Sequence, residues 1–168
     1  METAERIYLN PTDDIKEKVL GEANPVLMSC VEYKVTYLTE EFISVVYQDY
    51  YYEGSEQEYY LELRTRNINL LDGTVYEVKD IVDLSDRFIK NWSEEMCEEA
   101  DRLDLLEELS KEEMKAVLAG DELGGIYKDN FFLDLEGMEI GLSFKYPQDD
   151  KNNSGYYWVT APFDWDDI

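Results

Sequence analysis

The densest run of interaction-capable side chains in this sequence is Asp49-Tyr50-Tyr51-Tyr52-Glu53, followed across a short break by Glu56 and Glu58. Carboxylates form ion pairs with lysine and arginine. Tyrosine adds a hydroxyl hydrogen bond and a ring face for cation–π contact, so the mixture suits a cationic protein surface. Alternate residues of a strand point to opposite faces, which leaves about half of these tyrosines to a core and the rest to a partner. Two readings stay open: a partner-binding surface, or sheet packing with a solvated tip. Asp164-Trp165-Asp166 near the C-terminus carries the same chemistry, unless Trp165 only covers the core.

Catalytic chemistry has little to stand on. The chain has no histidine, which removes the commonest proton-transfer group near neutral pH. Forty acidic residues make close carboxylate pairs inevitable, so no pair is informative as an acid–base couple. There is no glycine-rich phosphate cradle, nucleophile elbow or Cys–His pairing, and Ser29-Cys30 falls in a predicted strand without a base. The expectation is a non-enzymatic chain with no catalytic residues and no cofactor.

Metal sites fare no better. Asp150-x-Asn152-x-Ser154-Gly155 matches positions 1, 3, 5 and 6 of a calcium loop, but Ala161 stands where the bidentate glutamate belongs. It reads as a polar hairpin loop. Cys30 and Cys97 fall on a predicted strand and helix, and read as free, mostly buried thiols. A disulfide stays open if the domain is exported. Two cysteines without histidine do not complete a structural zinc site.

The elements that position these residues follow from periodicity. Asn10-Pro11-Thr12-Asp13-Asp14 starts a helix over about Pro11 to Gly21, with Asn10 as cap and Ile15 and Val19 on one side. Period two then takes over. Val31, Tyr33, Val35 and Tyr37 alternate with Glu32, Lys34 and Thr36, Phe42 to Tyr52 is β-branched and aromatic, and Tyr59 to Asn69 alternates again. Asp72-Gly73 turns the chain into a fourth strand, Thr74 to Val78. Asp83 or Ser85 caps a helix with Leu84, Phe88, Ile89 and Trp92 on its apolar face, continued through Met96 to Leu109. Ser110-x-x-Glu113 is a capping box for a last helix ended by Gly120. Three strands close the chain: Asn130 to Leu135, Met138 to Tyr146, and Tyr156 to Ala161, the last stopped by Pro162. The order predicts one α+β domain over residues 1–168: an N-terminal helix and lead-in (1–25), an antiparallel meander (26–82), helices packed on one face (83–120), and a C-terminal hairpin with a final strand (121–168).

Charge sets the class of partner. Forty acids against fifteen bases give a formal net charge of −25, far outside the few charges ordinary for a small domain. Ten acids and two bases fall between Glu94 and Glu113, as a solvated helix face would also require. Such a body repels nucleic-acid backbones and anionic membranes and attracts a basic protein. Met1 to Tyr8 lacks a basic start and apolar run, so a cytoplasmic chain is expected, or an extracytoplasmic one if an export signal was removed.

Several segments also resemble a known family. Phe42-Ile43-Ser44-Val45-Val46-Tyr47, Asn67-Ile68-Asn69-Leu70-Leu71-Asp72-Gly73-Thr74 with Val78-Lys79-Asp80-Ile81, Asn130-Phe131-Phe132-Leu133 with Glu136-Gly137-Met138-Glu139-Ile140, and Gly155 through Phe163 resemble, in order, the motifs of RsiV-type domains. These are the lysozyme-sensing extracytoplasmic domains of certain anti-sigma factors, also found in some cell-wall deacetylases. The family's histidine-containing turn after its second strand is replaced here by Glu53-Gly54-Ser55-Glu56. The resemblance implies an α+β fold and a habit of binding proteins. Three functions are therefore carried forward: an immunity or inhibitor protein for a basic toxin or enzyme, an extracytoplasmic sensor of a basic wall hydrolase, and a DNA mimic.

Overall fold

Three long antiparallel strands dominate the first half of the computed structural model, which describes residues 10–53, 59–99, 106, 109–121, 123, 126–146 and 155–165. Strands β1 (Leu27–Leu38), β2 (Phe42–Glu53) and β3 (Tyr59–Asn69) pair in sequence order, and β4 (Val75–Tyr76) adds to β3. Tyr51 stands opposite Tyr60, and Asp49 opposite Glu62. Helix α1 (Asp13–Gly21) covers one end of the outer face, where Ile15 packs on the stacked rings of Tyr51 and Tyr60, 4.8 Å apart.

The second sheet, β5 (Ile126–Leu133), β6 (Gly137–Tyr146) and β7 (Gly155–Asp164), is also antiparallel and in sequence order. Helix α3 (Asp86–Glu99) packs on β7, and α4 (Lys111–Leu118) on β5. Between helices and sheet lies the main core, in which Phe88, Ile89, Trp92, Met96, Val117 and Leu118 meet Phe131, Met138, Ile140 and Phe163. Trp92 is fully buried, and its indole N–H donates to the Ile140 carbonyl at 3.2 Å, so burial leaves no orphaned donor. The α+β order expected from the sequence is the observed one.

The two sheets meet through polar groups. Strand β5 is an edge strand whose outward backbone groups need partners, and side chains of β2 and β3 supply them. Asn67 donates to the Phe131 carbonyl (2.8 Å), the Leu133 N–H donates to Ser44 Oγ (3.0 Å), and Ser44 donates to Asn67 Oδ1 (2.7 Å). One step along, Asn130 donates its amide to the Leu63 carbonyl (3.1 Å) and accepts from the Ser143 N–H (3.2 Å).

Local corrections have physical causes. The first helix is capped at Thr12 rather than Asn10, with the Lys16 N–H donating to the Thr12 carbonyl. The fourth strand stops at Tyr76, because Glu77 and Asp80 form a reciprocal capping box that turns Val78–Ile81 into the short helix α2. Pro162 does not end the last strand. It sits on the edge strand β7, where a missing N–H breaks no ladder, and pairing continues to Asp164 opposite Gly137. The alternating apolar residues of β1 face outward: Val31, Tyr33 and Val35 are exposed, Tyr33 at 74%, and a bulge between Val35 and Tyr37 swings Tyr37 inward against Phe42. Cys30 and Cys97 are free, but Cys30 is exposed on the edge strand rather than buried. Among the described residues, no helix is long and apolar enough to cross a membrane.

Candidate functional site

Strand alternation divides the tyrosine run. Tyr51 points to the outer face and is only 2% exposed in its stack with Tyr60, whereas Tyr50 and Tyr52 point to the inner face and are half-buried. Tyr51 is thus a packing residue, not a contact residue. Asp49 is buried as well, facing Glu62 across the hairpin, with the Arg64 guanidinium 2.9 Å from Glu62 and 4.0 Å from Asp49. A shallow cavity of about 230 Å³ opens here between Val31, Tyr47, Arg64 and Arg66. The backbone of Glu53 belongs to β2, while its side chain, Glu56, Glu58 and Asp166 lie outside the described residues.

The other half of the candidate set falls elsewhere. Asp164 ends β7 and is exposed beside a groove of about 750 Å³ that runs along the first turns of α3. Asp83, Glu94 and Glu95 line the same groove, with Arg87 among them. The helix supplies Glu94 and Glu95 because its apolar face must turn to the sheet, which leaves acids on the rim. Trp165 packs its ring 6.1 Å from Tyr37, so it joins the two halves of the chain while staying partly exposed. The tyrosine run and the C-terminal acids are therefore two places, not one.

A third site carries no sequence signal. Between β3, β5 and the Glu77–Asp80 box lies a cleft of about 630 Å³ lined by Arg66, Tyr76, Glu77, Asp121, Lys128 and Asp129 among others. Asp129 is 9% exposed. Burial pushes its carboxyl up from 3.8 to about 6, the Glu77 charge pushes the same way, and Lys128 and Lys79 offset this in part. Lys79 is committed to Glu77 (2.5 Å) and to the Ala119 carbonyl (2.9 Å). A carboxylate so placed can hold a cation or take up a proton near neutrality.

The linkage has a definite sign. Because the folded carboxyl titrates near 6 and the unfolded one near 3.8, the native state holds this proton more tightly. Stability is therefore lost as pH rises from about 4 to 6 and stays lower above that. Asp129→Asn removes the loss. At about 1.4 kcal/mol per pH unit of difference the ceiling is about 3 kcal/mol, and water at the cleft mouth brings the expected gain at pH 7.5 to about 2 kcal/mol. Urea unfolding at pH 7.5 and pH 4 checks it: the gain must shrink to about 0.5 kcal/mol or less at the lower pH.

Among the described residues, no group of three or more His, Cys, Asp or Glu side chains could hold a metal ion. The Asp150–Ser154 loop lies outside them. No protein-family model matches the chain, and no curated protein matches it at a significant level.

Proposed function

We propose that this chain is a non-enzymatic, acidic protein-binding module whose target is a basic protein, in the manner of an immunity or inhibitor protein that covers a basic toxin or enzyme. One observation carries the reading. The groove between α3 and β7 gathers Asp83, Glu94 and Glu95 from one segment and Asp164 from the end of β7 around Arg87, the single lining cation among the described residues. The net charge of −25 extends that local field over the whole body and speeds encounter with a cationic partner. Exposed Val31, Tyr33 and Val35 on the edge strand β1 add the apolar and aromatic surface that a stable interface needs at its centre.

A second reading, an extracytoplasmic domain that binds a basic wall hydrolase, draws support from the placement of the RsiV-like segments. They fall in order on β2, the β3–β4 turn with α2, the β5–β6 hairpin and β7. Both readings want a basic protein and differ in which one.

The test is affinity capture from native lysate at low salt, with the Glu94→Gln/Glu95→Gln/Asp164→Asn variant as parallel bait. The expected result is a basic protein retained by the parent chain, released by a few hundred millimolar salt, and associating at least tenfold more slowly with the variant. A captured wall hydrolase selects the second reading, and a toxin or intracellular enzyme the first. Equal capture by both baits, or no basic protein at low salt, overturns the proposal.

A further inference from the structure

We propose that the cleft between β3 and β5 is a recognition pocket for one cationic side chain, a lysine ammonium or an arginine guanidinium, with the Asp129 carboxylate as its counter-ion. This deepens the reading above, since it assumes a basic partner, but it concerns a site apart from the α3–β7 groove.

The charge at the cleft wall is only partly offset by its neighbours. Asp129 is nine-tenths buried, lines a cleft of about 630 Å³, and accepts a hydrogen bond from its own backbone N–H, with no side-chain hydrogen bond or ion pair to its carboxylate among the described residues. A carboxylate this withdrawn from water and without a charged side chain bonded to it gains from one, and folded proteins normally pair such a group. The nearby cations serve only in part. Lys79 is held by Glu77 and the Ala119 carbonyl. Arg66 donates to the Thr65 carbonyl at 2.9 Å. Lys128 lines the cleft and offsets part of the Asp129 charge, but it is exposed and, among the described residues, makes no ion pair with Asp129.

The rest of the wall suits a long cationic side chain. Tyr76 offers a ring beside the cleft, and Glu77 and Asp121 place two more carboxylates at its rim. An aliphatic stem along Tyr76 with its charged head at Asp129 would use both kinds of surface. The volume is ample for one side chain and is shaped before binding, because the Glu77–Asp80 capping box and the β5–β6 ladder fix two walls.

Ionisation of Asp129 is required, so binding must weaken with acid. The groups that face it are Lys128 on β5, Glu77, Lys79 and Asp80 on the box, Arg66 on β3, and Asp121 after α4. Asp129 titrates near 6, so its ionised fraction falls about tenfold between pH 7.5 and pH 5.

The experiment titrates the purified chain, followed by backbone amide NMR at low salt, with N-acetyl-lysine methylamide and N-acetyl-arginine methylamide, and with the N-acetyl-norleucine analogue as uncharged control. At pH 7.5 saturable shifts are expected at Asp129, Lys128, Glu77 and Tyr76 with at least one charged probe and none with norleucine. Affinity should fall about tenfold at pH 5, and at least tenfold in Asp129→Asn. The pH series on the unsubstituted chain keeps the test independent of how the variant folds. Absence of saturable shifts in the cleft, equal binding by Asp129→Asn, or affinity unchanged between pH 7.5 and 5 overturns the proposal. Such a failure alongside salt-sensitive partner capture would leave the function above standing; cleft binding without any basic partner would do the reverse.

Discussion

Arg64→Leu is expected to cost about 3 to 5 kcal/mol of stability at pH 7, a large share of what a domain of this size possesses. The reason lies in the register of the β2–β3 hairpin. Asp49 and Glu62 stand directly opposite each other, both buried, and like charges in that position repel. The Arg64 guanidinium lies 2.9 Å from Glu62 and 4.0 Å from Asp49, and its side chain is 27% exposed. Leucine keeps the volume but leaves two buried carboxylates facing one another, which is dearer than never having buried a charge. Denaturant unfolding measures the loss. The double-mutant cycle decides its cause: Asp49→Asn in the Arg64→Leu background should recover at least half of it, while Asp49→Asn alone should be nearly neutral or mildly destabilising. No recovery would mean that the loss comes from packing, not charge.

That arrangement also shows where sequence reading ends. The spacing of Tyr50, Tyr51 and Tyr52 was enough to say that the run divides between two faces, and Tyr51 does go to the core. Strand periodicity, the Ser110–Glu113 box and the Leu84, Phe88, Ile89, Trp92 face are local signals, and the corresponding elements form with those side chains buried or bonded as expected. Partners across strands are a different matter. Asp49 meets Glu62 because of the antiparallel register of β2 on β3, and the same register pairs Tyr51 with Tyr60. A symmetric hairpin drawn from the sequence would have carried that signal.

Asp129 was not legible at all. It is one acid among forty, in a strand whose apolar residues draw the eye. Its burial follows from the meeting of β5 with β3 and the Glu77–Asp80 box, residues some fifty positions upstream. The box itself was hidden because glutamate is an uncommon cap, and Thr74 to Val78 carries enough β-branched character to read as strand. The acid-lined groove has the same origin. Glu94 reads as a solvated helix face and Asp164 as part of a separate C-terminal contact, and only the packing of α3 on β7 brings them to one rim.

Asn67→Ala should remove about 3 to 4 kcal/mol, although no apolar contact in the main core changes. The residue is 1% exposed and bridges the two sheets, donating to the Phe131 carbonyl at 2.8 Å and accepting from Ser44 at 2.7 Å. Alanine leaves a buried carbonyl on the edge of β5 without its donor and a buried hydroxyl without its acceptor, each costing about 1 to 3 kcal/mol. Thr36→Ala supplies the contrast. Thr36 donates to the same Ser44 at 3.2 Å from the half-buried rim, so its loss should cost less than about 1 kcal/mol. Equilibrium unfolding separates the two, and hydrogen exchange locates the damage: in Asn67→Ala the Leu133 amide, which donates to Ser44, should lose protection before the amides of β6 do. Equal costs for the two variants would show that hydrogen bonding does not hold the sheets together, and that their apolar neighbours alone do.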